Sequence, residues 1–291
     1  MSLLNYLAAL LFAALFVASF AFGNDAGLFV NLVGLSIVIS GTLGATFLSY
    51  PVGDIRAAFF VARNSYTRKL PTEHEIINSL LDMAVRSRYQ GILALEELED
   101  QTTISFLRSA LGMLVDGYRP AEVQEILSTE MHYFRQRRAQ HEKLFRHMAR
   151  LAPAFGVAGS VVGLIGMLTG IGEPEIIIST IPIALTSTLY GIVLGNFLLM
   201  PVAESIHAKT EKELMLQMLI SDGVLAILQE QHNTIKLTKK LESFLTPSGR
   251  TDASPSLFEI RDRYQALRGK TMTETDARAP AKSAAGQAKR S

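Results

Sequence analysis

The side chains best placed to do chemistry in this sequence are hydroxyls set in long apolar stretches. Ser160 lies in LAPAFGVAGSVVGLIGMLTGI, and Ser187 and Thr188 lie in IISTIPIALTSTLYGIVLGNFLLMPVAES. Hard cations prefer oxygen ligands, so such hydroxyls suit a sodium ion stripped of part of its water. Inside a helix the same groups also bond back to the preceding turn. Ala184, Thr188, Gly191 and Gly195 recur at helical spacing, with Ser187 beside them. A stripe of this kind serves either a helix interface or the wall of a cavity. Neither stretch has a charged residue within its apolar run. A pathway for cations normally keeps a carboxylate as its carrier, so if this chain moves ions the carboxylate must come from elsewhere.

Other chemistry is missing. The sequence has no Cys, which removes disulfides, thiolate metal sites and cysteine nucleophiles together. The six His fit no HExxH pattern, and His141 and His147 are six residues apart, off one helical face. Gly269-Lys270-Thr271 resembles the end of a phosphate-binding loop, but Tyr264 stands where its first glycine belongs. There is no GxSxG or GxGxxG. The chain is expected not to be an enzyme, and to hold no metal or cofactor. Its formal net charge of +1 gives no overall pull on nucleic acid.

The elements that must carry the hydroxyls follow from how charge is segregated. Residues 1–50 contain no Lys or Arg, and Asp25 is their only charge. Residues 51–150 hold 14 Lys+Arg and 13 Asp+Glu; residues 151–203 hold only Glu173 and Glu175; residues 204–291 hold 14 Lys+Arg and 11 Asp+Glu. A membrane span needs about 20 apolar residues, so each apolar block divides in two. Gly23-Asn24-Asp25 and Gly172-Glu173-Pro174-Glu175 make the turns. The spans are predicted at Leu3–Phe22, Leu28–Leu48, Leu151–Ile171 and Ile177–Met200. The first stretch lacks the basic region of a cleaved signal peptide, and a second span follows at once. The short turns carry no Lys or Arg, while the long loop and the tail carry all 28. By the positive-inside rule both are cytoplasmic, and so are both termini. The expected class is an all-α membrane protein of four transmembrane helices with a helical cytoplasmic domain between the second and third.

The first span is bulky all round and suits a lipid-facing helix. In the third, Gly159 with Gly163 and Gly166 with Gly170 are small-xxx-small pairs that allow close backbone approach. Pro153 stands at the cytoplasmic entrance of the third span and Pro182 in the first turns of the fourth. Pro201, near the exit of the fourth, frees a carbonyl and can kink or hinge the helix. Thr72-Glu73-His74-Glu75 has capping-box spacing, and Arg119-Pro120-Ala121-Glu122 restarts a helix. Residues 86–100 read either as a solvated helical face or as a docking surface for a charged partner. The division expected is 1–50 membrane, 51–150 cytoplasmic helical domain, 151–203 membrane, 204–245 cytoplasmic amphipathic helix, and 246–291 a disordered tail with a possible short helix near 257–267.

Three motifs carry a resemblance. Ser40-Gly41-Thr42-Leu43-Gly44-Ala45 followed by Tyr50-Pro51, Leu151-Ala152-Pro153-Ala154-Phe155-Gly156, and Leu185-Thr186-Ser187-Thr188-Leu189-Tyr190-Gly191 with Pro201 thirteen residues after Thr188 resemble the second, third and fourth helices of the MotA/PomA flagellar stator proteins. The wider set is the MotA/TolQ/ExbB proton channel family. Four spans and the long second loop favour the stator branch, since TolQ- and ExbB-like proteins typically have three spans and an outer N-terminus. The resemblance implies a rotary ion channel of the bacterial inner membrane, with five copies around two copies of a MotB/PomB-like single-span subunit. That subunit supplies the ion-binding aspartate near Thr188. It further implies that Pro153 and Pro201 couple ion flow to torque, and that Arg88, Glu96 and Glu130 face the rotor protein FliG. Ser160 stands where sodium-driven members carry Thr and many proton-driven members carry Ala, and Ser187 replaces the first of a threonine pair. Hydroxyls remain at both, so the transported cation is Na+ or H+, with the hydroxyls favouring sodium. The alternative is a family relative that powers another envelope, gliding or defence machine.

Overall fold

The computed structural model describes residues 3–21, 29–96, 98, 102, 104–169, 172–229, 239–241 and 243–244. Two expectations lie outside these residues: the turn at Gly23-Asn24-Asp25 and the character of residues 246–291. The described residues are helical and contain no strand. They fall into two compact units. One comprises Met1–Lys69 with Phe134–Glu211, the other Leu70–Tyr133 with Lys212–Ser291.

The first unit begins with α1 (Leu3–Ala21), α2 (Leu32–Ser49) and α3 (Val52–Thr67). It takes in the later part of α6 (Pro120–Thr169), all of α7 (Pro174–Ile192), and the start of α8 (Met200–Gln229). A π-helical stretch, Val193–Leu199, joins α7 to α8. Three stretches are long and apolar enough to cross a membrane: α2, α6, and the continuous run Pro174–Gln229. Helix α2 buries Gly34, Val38, Thr42 and Thr46, one residue every four, which makes a single stripe toward the bundle. The side chains described on α1 are mostly exposed, Leu10, Phe12 and Leu15 among them.

Helix α2 itself starts at Leu32. Asn31 is the reason: its side chain accepts the Gly34 N–H at 2.9 Å and so caps α2. At the other end Pro51 opens α3. Lys209 Nζ donates to the carbonyls of Asn64 (2.6 Å), Ser65 (3.3 Å) and Arg68 at the close of α3. A cation there satisfies orphan carbonyls and meets the negative end of the helix dipole. The core of this unit below the apolar run is built from Ile55, Ala58, Phe145, Met148, Ala203 and Ile206.

The second unit holds α4 (Glu73–Gln90), a 3₁₀ turn (Ile92–Leu95), α5 (Ser105–Val115), the first turns of α6 and the rest of α8. The predicted capping box is formed: Glu75 N–H donates to Thr72 Oγ1 at 3.3 Å, and Thr72 N–H donates to the Glu75 carboxylate at 3.0 Å. Glu122 returns to the Arg119 N–H at 2.9 Å where Pro120 starts α6. Leu80, Leu81, Leu107, Leu111, Leu127 and Leu219 form the centre of its core. Residues 86–100 are not one helix. Gly91 has φ 89°, a backbone open mainly to glycine, and it ends α4.

Candidate functional site in the apolar bundle

The site is the seam between α6 and α7. It exists because both helices present small residues to each other. A Cβ added at Gly163 would lie 2.6 Å from the Ala184 nitrogen. One added at Gly156 would lie 2.9 Å from the Ser187 carbonyl oxygen, and one at Gly191 2.5 Å from the Ala152 carbonyl oxygen. Backbone therefore meets backbone along some two turns of each helix, as small residues permit in lipid. The stripe read from the sequence as interface or cavity wall is an interface at Ala184, Gly191 and Gly195.

The hydroxyls fall into two settings. Ser160 and Thr188 face each other across the seam, oxygen to oxygen. Ser160 Oγ also donates to the Ala184 carbonyl at 2.6 Å, and Thr188 Oγ1 lies 3.5 Å from the Gly156 carbonyl. Together these link four oxygens of two helices in a chain of contacts across the seam, without a carboxylate. Ser187 is different. It is fully buried, its hydroxyl donates back to the Ile183 carbonyl at 2.6 Å, and it packs against Gly34 of α2 and Gly159 of α6. Thr186 likewise donates to the Pro182 carbonyl at 2.6 Å. Adjacent residues of one helix thus do different things. Thr188 looks across to α6, while Ser187 is committed to its own preceding turn.

The prolines bracket the cytoplasmic end of the seam. Pro153 lies inside α6 and packs on Gly191 and Gly195. It has no N–H to offer the Ala149 carbonyl, and that oxygen faces Gly195, where an added Cβ would come within 2.6 Å. Pro201 follows the π-helical stretch after one residue, Met200. There the Met200 N–H reaches back five residues to the Gly195 carbonyl, so the turn is wider than an α-turn. A widened turn gives the Pro201 ring room against the carbonyl four residues earlier, so the helix continues. Tyr66 of α3 donates to the Pro201 carbonyl at 3.3 Å.

Two further features had no clear sequence signal. Tyr190 donates its hydroxyl proton to the Phe29 carbonyl and accepts the Asn31 N–H at 2.8 Å, fastening the start of α2 to α7. Nearer the charged loop, Arg146 bonds Glu142 (2.7 Å) and Glu204 (2.9 Å), and His207 Nδ1 lies 3.0 Å from the second Glu142 oxygen. The hydrogen bond to Glu142 and the charge of Glu204 raise the Arg146 pKa. This network ties α6 to α8 next to the two prolines. His141 is held below the ordinary histidine value, first by burial and then by Arg138, with Asp54 opposing.

The expected loop charges lie in the other unit. Arg88 is exposed in the last turn of α4, and Glu96 is exposed just after the 3₁₀ turn, beyond the break at Gly91. They do not share a helix. Glu130 is half-buried on α6.

Helices with apolar stretches long enough to span a bilayer, locked by backbone-close glycine contacts beside a pair of facing hydroxyls, define a multi-pass helical membrane protein. The MotA/TolQ/ExbB proton channel family model matches residues 98–218. The chain is 30% identical over 237 residues to the chemotaxis protein PomA of Vibrio alginolyticus, covering 81% of this chain and 92% of that one. It is 29% identical over 251 residues to motility protein A of Borreliella burgdorferi, covering 84% and 94%. Among solved structures it is similar to the flagellar MotAB stator complex from Bacillus subtilis, with a TM-score of 0.78 at 27% identity, covering 87% of this chain and 99% of that one. The C. jejuni MotAB structure shares the fold at the same TM-score and 24% identity, covering 88% and 98%. The chain belongs to the MotA/TolQ/ExbB proton channel family.

Proposed function

We propose that this chain is the A-subunit of a flagellar stator unit, a rotary motor channel that couples inward flow of Na+ or H+ to torque on the rotor. One observation carries the reading: the hydroxyls of Ser160 and Thr188 meet in a seam whose apolar stretches, residues 151–171 and 177–203, contain no acid. Such a seam can pass a cation beside a carboxylate but cannot supply the carboxylate. A MotB/PomB-like single-span subunit supplies it, and the similarity to MotAB complexes supports that partner. In this reading α1 is the first of four spans, both termini are cytoplasmic, and the membrane is the bacterial inner membrane. Residues 1–50 and 151–203 form the membrane part, 51–150 and 204–245 the cytoplasmic part, and 246–291 a tail.

Each residue then has a task. Ser160 and Thr188 line the ion pathway beside the partner's aspartate, and Ser187 holds the neighbouring backbone. Pro153 and Pro201 leave carbonyls outside the regular helix ladder, so the cytoplasmic ends of the two spans can bend as each ion passes. Arg88, Glu96 and Glu130 transmit force to FliG. Five copies surround two partner chains, and rotation of the ring is the output. The test is co-expression with the single-span protein encoded beside it, affinity purification through that protein, and imaging of the complex. A ring of five around two is expected; purification without the partner, or a ring of another number, overturns the reading.

A further inference from the structure

Helix α3 carries an exposed face that the stator reading does not use. Its buried row, Ile55, Ala58 and Ala62, packs into the core with Phe145 and Ile206. The side running from the edge of that row round to its far face leaves large apolar groups in the open: Val52 is 59% exposed, Phe59 48% and Phe60 64%. Arg56 and Arg63 are exposed as well, and no ion pair ties either to an acid among the described residues. At about 100° per residue, Phe59, Val52, Arg63, Arg56 and Phe60 fall within an arc of roughly 100°. Asp54, the only acid of α3, stands about 160° round from Arg56.

The position of this face is fixed by the chain. Helix α2 is a candidate span that ends at Ser49, and α3 starts at Val52, so only Tyr50 and Pro51 separate them. The Phe59 ring meets the Phe145 ring edge-on at 5.2 Å, one to two turns before Arg150, the last charge ahead of the third apolar stretch. Aromatic and aliphatic groups interleaved with arginines, at the edge of a bilayer, match a surface that is apolar within and anionic at its rim. A guanidinium fits a phosphate diester with two parallel hydrogen bonds.

We propose that α3 docks onto anionic phospholipid of the cytoplasmic leaflet. Arg56 and Arg63 bind headgroup phosphates, and Val52, Phe59 and Phe60 enter the glycerol and upper acyl region. The inference rests on the membrane placement of α2 but not on the ion or the rotor. It makes the lower edge of the bundle a lipid-recognising collar that holds the depth of the seam relative to the headgroups.

The experiment is native mass spectrometry of the full-length chain, in its complex, released from detergent containing equimolar phosphatidylglycerol and phosphatidylcholine. The reading is the ratio of the two lipids retained per chain. Wild type should prefer phosphatidylglycerol, and R56Q/R63Q should lower the preference by about fivefold per arginine, the usual worth of a basic residue near an anionic surface. R56K/R63K, which keeps the charge, should retain most of the preference even if the glutamine variant fails to fold. F59S/F60S should lower retention of both lipids with the ratio unchanged. R137Q, at an exposed arginine of α6, should leave the ratio alone. An unchanged ratio in R56Q/R63Q overturns the proposal, as does an equal fall in R137Q, which would mean diffuse attraction only. Dissociation of the subunits in R56Q/R63Q with the ratio intact would make the face a contact between copies and also overturn it. None of these outcomes depends on finding ion flux, so failure of the stator reading stays separately visible.

Discussion

Substitution of Gly191 by Ala probes the seam with a single methyl. The new Cβ would stand 2.5 Å from the Ala152 carbonyl oxygen and 3.0 Å from the Cα atoms of Gly156 and Pro153. All three neighbours are backbone, so no side chain can swing aside. Non-bonded carbons rest about 3.5–4.0 Å apart, so α6 and α7 must separate by roughly 0.5–1 Å. Overpacking of this kind costs about 1–3 kcal/mol, and alanine recovers at most about 1 kcal/mol of helix propensity over glycine. From the middle of that range the net loss is about 1 kcal/mol, concentrated one turn from Thr188. Thermal unfolding of the detergent-solubilised chain should therefore fall by several degrees, and swimming speed should fall further because the Ser160–Thr188 contact opens. Gly53→Ala is the control, since a Cβ at Gly53 meets nothing within 4 Å; it should behave as wild type. A Gly191→Ala protein with wild-type melting and wild-type speed would refute the seam geometry.

Ion choice divides the hydroxyls. If the pathway is sodium-coupled, Ser160→Ala and Thr188→Ala should raise the external sodium needed for half-maximal speed at fixed pH. Ser187→Ala should act mainly through packing, because its hydroxyl is bound to Ile183; a speed indifferent to sodium but collapsed by an uncoupler would show a proton machine. Charge reversal at Arg88 or Glu96 should reduce motility while membrane levels stay normal, since both side chains are exposed; loss of the protein from the membrane would instead assign them a structural role. His141 supplies a pH effect. Its folded pKa lies below the ordinary 6.5, so the unfolded chain binds its proton more readily. The stability it contributes is complete above 6.5 and is lost as pH falls below it. His141→Gln should flatten the melting temperature between pH 7 and pH 5 relative to wild type.

The membrane character was legible because charge is absent from whole blocks, and no packing detail can hide that. Helix ends set by local hydrogen bonds were legible too, as at Thr72–Glu75. The break at Gly91 and the cap at Asn31 had signals of the right type, a glycine after a basic last turn and an asparagine before an apolar run. Hydrophobic continuity outweighed them in the reading. Pro201 gives the expectation of a kink or hinge, and a widened π-helical turn, one of the local causes of a helix bend, stands just before it. Ser187 and Thr188 are adjacent and chemically alike. Which one looks across the seam depends on the rotation of α7 against α6, set by the α6 glycines 24 or more residues away in the chain. The Tyr190 clasp and the Arg146–Glu204 pair depend on that same long-range register.

The central claim is that this chain conducts only with a carboxylate borrowed from a partner. Proteoliposomes holding a fluorescent sodium or proton reporter test it directly, with an imposed ion gradient and a membrane potential. The chain alone should give flux near background. Co-reconstitution with the single-span partner should open a conductance that is lost when the partner's intramembrane aspartate is changed to asparagine. Robust flux from this chain by itself would contradict the account.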